Sequence, residues 1–132
     1  MQVPDSFRDL FDKQTFAHVS TILPDGSPHV TPVWIDYDED AGHLLFNTTR
    51  GRRKERNLRA NPDVAVSMTD PDDPYRFLSV LGEAVELTED GAVDHINDLA
   101  RRYMDVDEYP NLDTEEGARV IVRIEPERVV TS

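Results

Sequence analysis

The sequence predicts a mainly β domain, a small antiparallel barrel whose gaps are closed by two or three helices. Several segments have the alternating or β-branched composition of strands, and most connections between them are short turns. The length of 132 residues is enough for one domain core and too little for two. With 38% apolar residues the chain can fill such a core, so we expect a single domain over residues 1–132.

The N-terminal part of the chain predicts a helix followed by three strands. Phe7, Leu10 and Phe11 have helical spacing, and Asp5 or Ser6 is the expected cap. The predicted strands cover residues 16–23, 29–37 and 43–49, with turns at 24–27 and 38–42. Because two hairpins follow each other directly, we expect an antiparallel meander.

The remainder of the chain predicts two helices and three strands. A short, very basic helix over residues 51–60 stops at Asn61-Pro62, because proline cannot continue it. The other predicted elements are strands at 64–68, 76–87 and 120–124, a loop at 70–74, a helix at 89–104 and a polar loop at 105–117. We expect Gly82 to mark a bulge in the long strand and Pro126 to interrupt the last strand.

The charge of the chain is strongly negative and unevenly distributed. It carries 27 acidic and 14 basic residues, a formal net charge of −13, yet six of the bases lie between Arg50 and Arg59. Most of such a surface repels nucleic acid, so we expect no nucleic-acid partner. One basic patch on an acidic chain instead indicates a compact anionic ligand.

Further features limit the class of protein. The absence of cysteine excludes disulfides and thiolate metal sites, and the four histidines lack metal-ligand spacing. Asp36, Asp38 and Asp40 imitate a calcium loop, but Ala41 and Asn47 stand where that loop needs glycine and glutamate. The apolar stretches are too short to cross a membrane and no secretion signal begins the chain, so we expect a cytoplasmic protein without a metal ion.

The candidate binding site lies where a strand ends at residues 47–49 and the basic helix begins. Hydroxyl groups of Thr48 and Thr49 can donate hydrogen bonds to phosphate oxygens, and the first helical turn carries Arg52, Arg53 and Lys54. Cations at the start of a helix oppose its macrodipole. An anion bound to the free N–H groups there would interact favourably with both the cations and the macrodipole. The segment therefore predicts an anion site, although a solvated basic helix paired with the acidic surface explains the same residues.

A series of short motifs runs in order along nearly the whole chain. The motifs are Pro24-Asp-Gly-Ser-Pro28, His29-Val-Thr-Pro-Val-Trp34, Asn47-Thr-Thr, Arg52-Arg-Lys-Glu-Arg-Asn57-Leu58, Asn61-Pro62, Pro74-Tyr-Arg76, Val80-Leu-Gly82, Leu99-Ala-Arg-Arg-Tyr103 and Val122-Arg-Ile-Glu-Pro126. This ordered set resembles the pyridoxamine 5′-phosphate oxidase-like flavin-binding split barrels, in particular the branch that depends on coenzyme F420. The resemblance implies a six-stranded split barrel that works as a homodimer with cofactor sites at the subunit interface.

The resemblance also implies how the cofactor phosphate is held. Arg52 and Lys54 match the basic positions that bind the phosphate, and Arg53 matches the neighbour used in members that bind flavin mononucleotide (FMN). Asn47 and Thr48 match positions that touch the phosphate or the ribityl chain.

For the ring of the cofactor, the resemblance implies a different part of the chain. The stretch Thr31-Pro32-Val33-Trp34 matches the strand whose backbone lies along the isoalloxazine or deazaflavin ring, and its apolar residues offer a wall for it. Tyr75 and Arg76 match a strand that reaches the site from the second subunit. Because the cofactor carries the chemistry, no catalytic residue is assigned. Two further residues are candidates for the site. His29 lies next to the strand expected along the ring, and Tyr109 lies in a loop that could cover the pocket.

Two cofactors are compatible with these motifs. The spacing of Arg52, Lys54 and Asn57 favours F420, whereas Arg53-Lys54 also fits the FMN pattern. The chain lacks the C-terminal segment that grips pyridoxal phosphate in the true oxidases, so oxidation of vitamin B6 is not expected. The expected function is hydride transfer between F420, or alternatively FMN, and a small organic substrate. The alternative is a flavin-binding or carrier protein without turnover.

Overall fold

Seven antiparallel strands form one curled sheet in the computed structural model, which describes residues 2–132. The strands are β1 Phe16–Ile22, β2 Pro28–Trp34, β3 Asp36–Asp38, β4 His43–Thr49, β5 Asp63–Asp70, β6 Asp73–Thr88 and β7 Arg119–Thr131. The α-helices are α1 Arg53–Ala60 and α2 Ala92–Met104, and 3₁₀ helices cover Asp5–Asp12 and Leu112–Thr114. None of these helices is long and apolar enough to cross a membrane. Met1, which the predicted domain includes, lies outside the described residues.

The two ends of the sheet are joined by a single residue. The strand order is β2-β1-β5-β6-β7-β4-β3, so β2 and β3 lie at opposite edges although they are consecutive in the chain. Ile35 alone separates Trp34, which ends β2, from Asp36, which begins β3. The sheet must therefore curve until its edges approach each other, which is the geometry of a split barrel. The predicted fold class is confirmed.

The number of strands differs from the predicted six, because the expected strand over residues 29–37 breaks at Ile35. The N–H group of Ile35 donates to the Tyr103 hydroxyl (3.1 Å), and its carbonyl accepts from the Arg102 guanidinium (3.0 Å). Side chains of α2 thus satisfy the backbone groups that a neighbouring strand would otherwise bind. The expected continuous meander is wrong, since β2 pairs with β1 and the second hairpin is formed by β3 and β4.

Helix α2 lies across the gap in the barrel, as the prediction of gap-closing helices requires. Tyr103, in its last turn, donates its hydroxyl to the Thr15 carbonyl oxygen (2.5 Å). Its ring stacks on that of Trp34 with centroids 5.2 Å apart. The helix begins at Ala92 rather than at residue 89, because Gly91 adopts a left-handed conformation with φ of 73° just before it.

Side chains alternate between the barrel interior and the α2 side of the sheet. In β4, Leu44 and Phe46 are fully buried in the main core, whereas Leu45 packs with Ala92 and Ile121. By the same alternation Asn47 lies on the α2 side. Both faces of β4 are therefore covered, and a polar amide is placed between the sheet and the helix.

The N-terminal helix has a different geometry from the predicted one. The segment is a 3₁₀ helix, and neither Asp5 nor Ser6 caps it with a side-chain hydrogen bond. Its apolar residues still behave as their spacing predicts, since Leu10 and Phe11 are buried in the core.

Two strands extend further than the sequence predicts. The expected loop over residues 70–74 is a tight turn, because the Asp70 carboxylate accepts the Asp72 N–H group (2.9 Å) and β6 begins at residue 73. The last strand also continues through Pro126 to Thr131, since the register between β6 and β7 shifts at this point.

Gly82 lies at this shift in register, opposite Pro126. A Cβ atom on Gly82 would lie 2.4 Å from the carbonyl oxygen of Glu125, so only glycine allows the two backbones to approach so closely. The predicted bulge is confirmed, and its cause is the close contact between strands.

We expect Gly82→Ala to destabilise the fold by about 2 kcal/mol, because the added methyl group must push β6 and β7 apart. Urea unfolding followed by far-UV circular dichroism measures this change. The control is Glu83→Ala, which removes an exposed side chain one residue further along β6. Equal stability of the two variants would contradict the close-contact explanation.

Candidate functional site

A cavity of about 350 Å³ opens beside the gap in the barrel. Its lining is apolar and aromatic on one side and cationic on the other, and consists of Phe16, Pro32, Val33, Trp34, Asn47, Arg52, Lys54, Ile96, Leu99, Met104, Tyr109, Asn111 and Arg119. Phe16 and Met104 are largely exposed to solvent although they are apolar. A cavity of this size and character suits a small organic ligand with an anionic group.

The cationic side of the cavity is formed by Arg52, Lys54 and Arg119. Burial lowers the pKa of Lys54, and the nearby charges of Arg52 and Arg119 lower it further. Within residues 2–132, Lys54 forms no hydrogen bond or ion pair with an acidic side chain. A half-buried ammonium group beside two guanidinium groups is unfavourable without a negative partner, so this side of the cavity is suited to an anion.

A buried carboxylate organises the turn that leads into α1. Glu55 is 0% exposed and accepts hydrogen bonds from the Gly51 N–H group (2.7 Å) and the Arg59 guanidinium (3.1 Å), with Arg50 at 3.4 Å. Gly51 has a φ of 91°, which favours glycine, and so the tight turn expected there is present. Although burial raises the pKa of Glu55, these hydrogen bonds and the charge of Arg59 lower it overall.

Aromatic rings form another part of the cavity lining. Trp34 stacks on Tyr103 at an interplanar angle of 8°, and the ring of Tyr109 meets it edge-on at 6.0 Å. The guanidinium of Arg119 lies over the ring of Tyr109, 4.7 Å from its centroid. Tyr109 therefore connects the aromatic and cationic sides, and the structure places it in the cavity lining, as the sequence suggested.

Six of the predicted site residues line the cavity: Pro32, Val33, Trp34, Asn47, Arg52 and Lys54. They come from β2, β4 and the start of α1, so the fold brings together the parts of the chain assigned to the ring and to the phosphate. Thr31 and Thr48 lie beside them in the same strands, and each has a buried hydroxyl that finds no hydrogen-bond partner among the described residues. Thr49 faces a neighbouring depression with Arg52.

The other predicted residues lie away from this cavity. Arg53 and Asn57 face a separate depression and bind each other (2.9 Å), and the Asn57 amide also donates to the Thr21 hydroxyl (3.0 Å). Tyr75 is 86% exposed at the start of β6. Arg76 is bound to Asp9 (2.7 Å) and Asp70 (2.8 Å), which raise the pKa of its guanidinium. The predicted contacts of these four residues with a cofactor stay predictions.

Arg119 is a cavity residue that the sequence analysis missed. It is 6% exposed, donates to Oδ1 of the Asn47 side-chain amide (3.3 Å) and pairs with Glu115 (2.7 Å). A single arginine at the start of the last strand has no motif that would distinguish it from other surface bases. Its partners come from β4 and from the loop before β7, so its position follows from strand pairing together with the ion pair to Glu115.

A second missed feature is the hydrogen-bond network behind Asn47. Its amide donates to the Ala92 carbonyl oxygen (2.9 Å) and to Nδ1 of His95 (3.1 Å), and Nε2 of His95 therefore donates to Asp36 (3.1 Å). Burial raises the pKa of Asp36, but the hydrogen bonds from His95, Tyr37 and Arg102 lower it overall. This network fixes the orientation of the Asn47 amide toward Arg119.

The other histidines do not share this role. His29, the histidine singled out in the sequence, does not line the cavity, and its buried Nδ1 has no hydrogen-bond partner in the part of the chain that the structure describes. Among residues 2–132, no three His, Asp or Glu side chains are grouped so that they could hold a metal ion.

The fold and the cavity together define a split-barrel protein with a cleft at the barrel gap. Residues 3–132 match the family model described as pyridoxamine 5′-phosphate oxidase, and the chain belongs to this family. The resemblance noted in the sequence is thereby confirmed. No curated protein matches the chain.

Solved structures extend this comparison. A protein described as an F420 reductase is 34% identical, with a TM-score of 0.83 over 97% of this chain and 98% of that chain. A conserved hypothetical protein from Mycobacterium tuberculosis is 26% identical, with a TM-score of 0.77 over 99% and 84%. A putative pyridoxamine 5′-phosphate oxidase from Listeria innocua shares the fold, with 24% identity and a TM-score of 0.61 over 88% and 86%.

We expect Glu55→Gln to lower the free energy of unfolding by about 2 kcal/mol at pH 7, because a buried charge-assisted hydrogen-bond network is lost. The folded-state pKa of Glu55 lies below its ordinary value of 4.5, so the wild-type advantage is fully present above that pH. It is lost as the pH falls through the lowered folded-state pKa.

Urea unfolding at pH 7 and at steps below pH 4.5 tests this expectation. Glu89→Gln is the matched control, since Glu89 also binds Arg50 (3.1 Å) but is exposed. A penalty for Glu55→Gln that stays constant on acidification would show that the charge of Glu55 is not what stabilises the turn.

Proposed function

We propose that the chain is an oxidoreductase that binds coenzyme F420, or alternatively FMN, in this cavity and moves a hydride between the cofactor and a small organic substrate. One observation carries the proposal: half-buried Lys54, which has no acidic partner within residues 2–132, lies beside Arg52 and Arg119 in a cavity whose lining is otherwise largely apolar and aromatic. Such a cavity provides separate surfaces for the phosphate and for the ring.

The ring of the cofactor fits the wall made by β2. Pro32, Val33 and Trp34 line the cavity, and β2 is an edge strand, so part of its backbone has no strand partner. Free N–H and C=O groups on such an edge can bind the polar atoms of a heterocycle, while the apolar side chains cover its face.

The phosphate fits the cationic side. The guanidinium of Arg52 and the ammonium of Lys54 come from the turn into α1, and the Arg119 guanidinium completes the set from β7. Charge-assisted hydrogen bonds from such donors are the strongest that a phosphate receives from a protein.

F420 is favoured over FMN by two observations. The 34% identical structure is described as an F420 reductase. The spacing that favours F420 in the sequence includes Arg52 and Lys54, which line the cavity, whereas Arg53, which belongs to the FMN pattern, is turned toward Asn57. Asn57 itself is engaged with Thr21, so the support from the spacing rests on the two cations.

The bound cofactor supplies the hydride chemistry, and the residues of the chain bind, orient and shield it. Arg52 and Lys54 hold the phosphate, and the β2 wall sets the ring plane. Tyr109 and Met104, in the lining, restrict the access of water to the ring.

The cofactor site is tested with Arg52→Ala/Lys54→Ala. We expect this double variant to bind F420 at least about a hundredfold more weakly, because two charge-assisted hydrogen bonds are lost. Fluorescence titration with F420 and separately with FMN measures the change. Arg56→Ala is the control, since Arg56 is an exposed base of the same helix outside the cavity.

Normal F420 and FMN binding by the double variant would contradict the proposed site. The enzymatic part is tested separately, by following oxidation of the reduced cofactor with quinones, enones and nitro compounds. Tight binding without turnover of any of these acceptors would indicate a carrier protein.

We also propose that the chain forms a homodimer in which Tyr75 reaches the cofactor of the partner subunit, since this aromatic side chain is almost fully exposed. Tyr75→Ala should then weaken F420 binding. In an exchanged mixture of equal parts Tyr75→Ala and Arg52→Ala/Lys54→Ala, about a quarter of the sites should recover normal affinity, because each mixed dimer contains one intact site.

Fluorescence titration of the mixture, together with the mass from light scattering, measures this recovery. A monomeric protein, or a mixture that recovers no tight sites, would place Tyr75 outside the cofactor site.

A further inference from the structure

Two of the three cavity cations share one carboxylate. Glu115 accepts hydrogen bonds from Nε and Nη2 of Arg119 (2.9 and 2.7 Å) and from Nη2 of Arg52 (3.2 Å). The side chains of Glu115 and Arg119 are only 10% and 4% exposed. Within residues 2–132, Lys54 is the one cation of the three that has no carboxylate partner.

Glu115 contacts the two arginines from outside the main cavity. It does not line the main cavity but faces the neighbouring depression, which Arg52 also lines. A bidentate, shielded pair such as Arg119 and Glu115 is costly to separate, because each charge would lose its partner. We therefore expect the Glu115 carboxylate to stay in place when an anion binds.

Its charge then becomes a fixed part of the binding site. Three cations and one carboxylate leave a net charge of two positive units at the cationic side. A phosphate diester, as in F420, carries one negative charge, whereas a phosphate monoester, as in FMN, carries about −1.5 to −2 at pH 7. The second negative charge of a monoester therefore gains less from Arg52 and Arg119, because Glu115 already partly neutralises them.

We propose that Glu115 is a specificity-determining residue, which weakens the binding of cofactors with a doubly charged phosphate monoester relative to that of cofactors with a phosphate diester. The inference rests on the proposed function, since it concerns the same phosphate site. Because the carboxylate lies one side chain away from the ligand, its repulsion of one additional charge corresponds to a factor of about three to ten in affinity.

The test is Glu115→Gln, which keeps the shape of the side chain and removes its charge. The matched control is Glu116→Gln, which removes an exposed charge from the next residue and forms no hydrogen bond or ion pair within residues 2–132. Each protein is titrated with three probes: riboflavin, FMN and the monomethyl ester of FMN. F420 is titrated in parallel.

We expect Glu115→Gln to raise the affinity for FMN about three- to tenfold more than the affinity for the monomethyl ester or for F420. Riboflavin, which has no phosphate, should bind equally to all three proteins. The ratio between probes is measured within one protein, so a variant that is partly unfolded still gives a valid ratio.

Equal changes for FMN and its ester, or no measurable FMN binding by the variant, would overturn the role of Glu115. The proposed function is judged by Arg52→Ala/Lys54→Ala with the same probes. If that variant loses phosphate-dependent binding while the ratio in Glu115→Gln is unchanged, only the inference on Glu115 is wrong. If neither variant alters binding, the phosphate site itself is wrong.

Discussion

The rest of the structure depends on one constraint, which is that the chain crosses the barrel gap at Ile35. One residue connects the two edges of the sheet, and so the sheet has to curl. The backbone groups of Ile35 leave the strand ladder and are bound by Tyr103 and Arg102 of α2. These bonds hold the helix against the gap, place Tyr103 against Trp34, and so create the aromatic side of the cavity.

Two carboxylates, those of Glu55 and Glu115, each bind a different pair of arginines in an otherwise acidic chain. Glu55, fully buried, binds Arg50 and Arg59 and so supports the turn into α1. Glu115 binds both Arg52 and Arg119 from outside the cavity lining. The lysine in the same turn remains without an acidic partner in the described part of the chain. The functional character of the basic patch therefore depends on which base each carboxylate binds.

Much of the fold follows from local patterns. Alternating apolar residues predict the strands, and Gly82 marks the place where β6 and β7 come too close for a side chain. The break at Ile35 has no such signal, because the surrounding residues are all compatible with a strand. Its cause is a pair of hydrogen bonds from a helix far along the chain. The cap of the first helix was also wrong, since packing of Leu10 and Phe11 sets that segment more than its polar residues do.

The sequence by itself determined that a mainly β, acidic domain of this family carries a basic turn after a strand and an apolar strand suited to a ring. Only the tertiary structure decided which bases face the cavity. Arg53 and Asn57 turn away from it, whereas Arg119 and the His95 network behind Asn47 join it from distant elements. The physical reason is that local spacing sets the face of a helix or strand, but pairing between remote elements sets what that face meets.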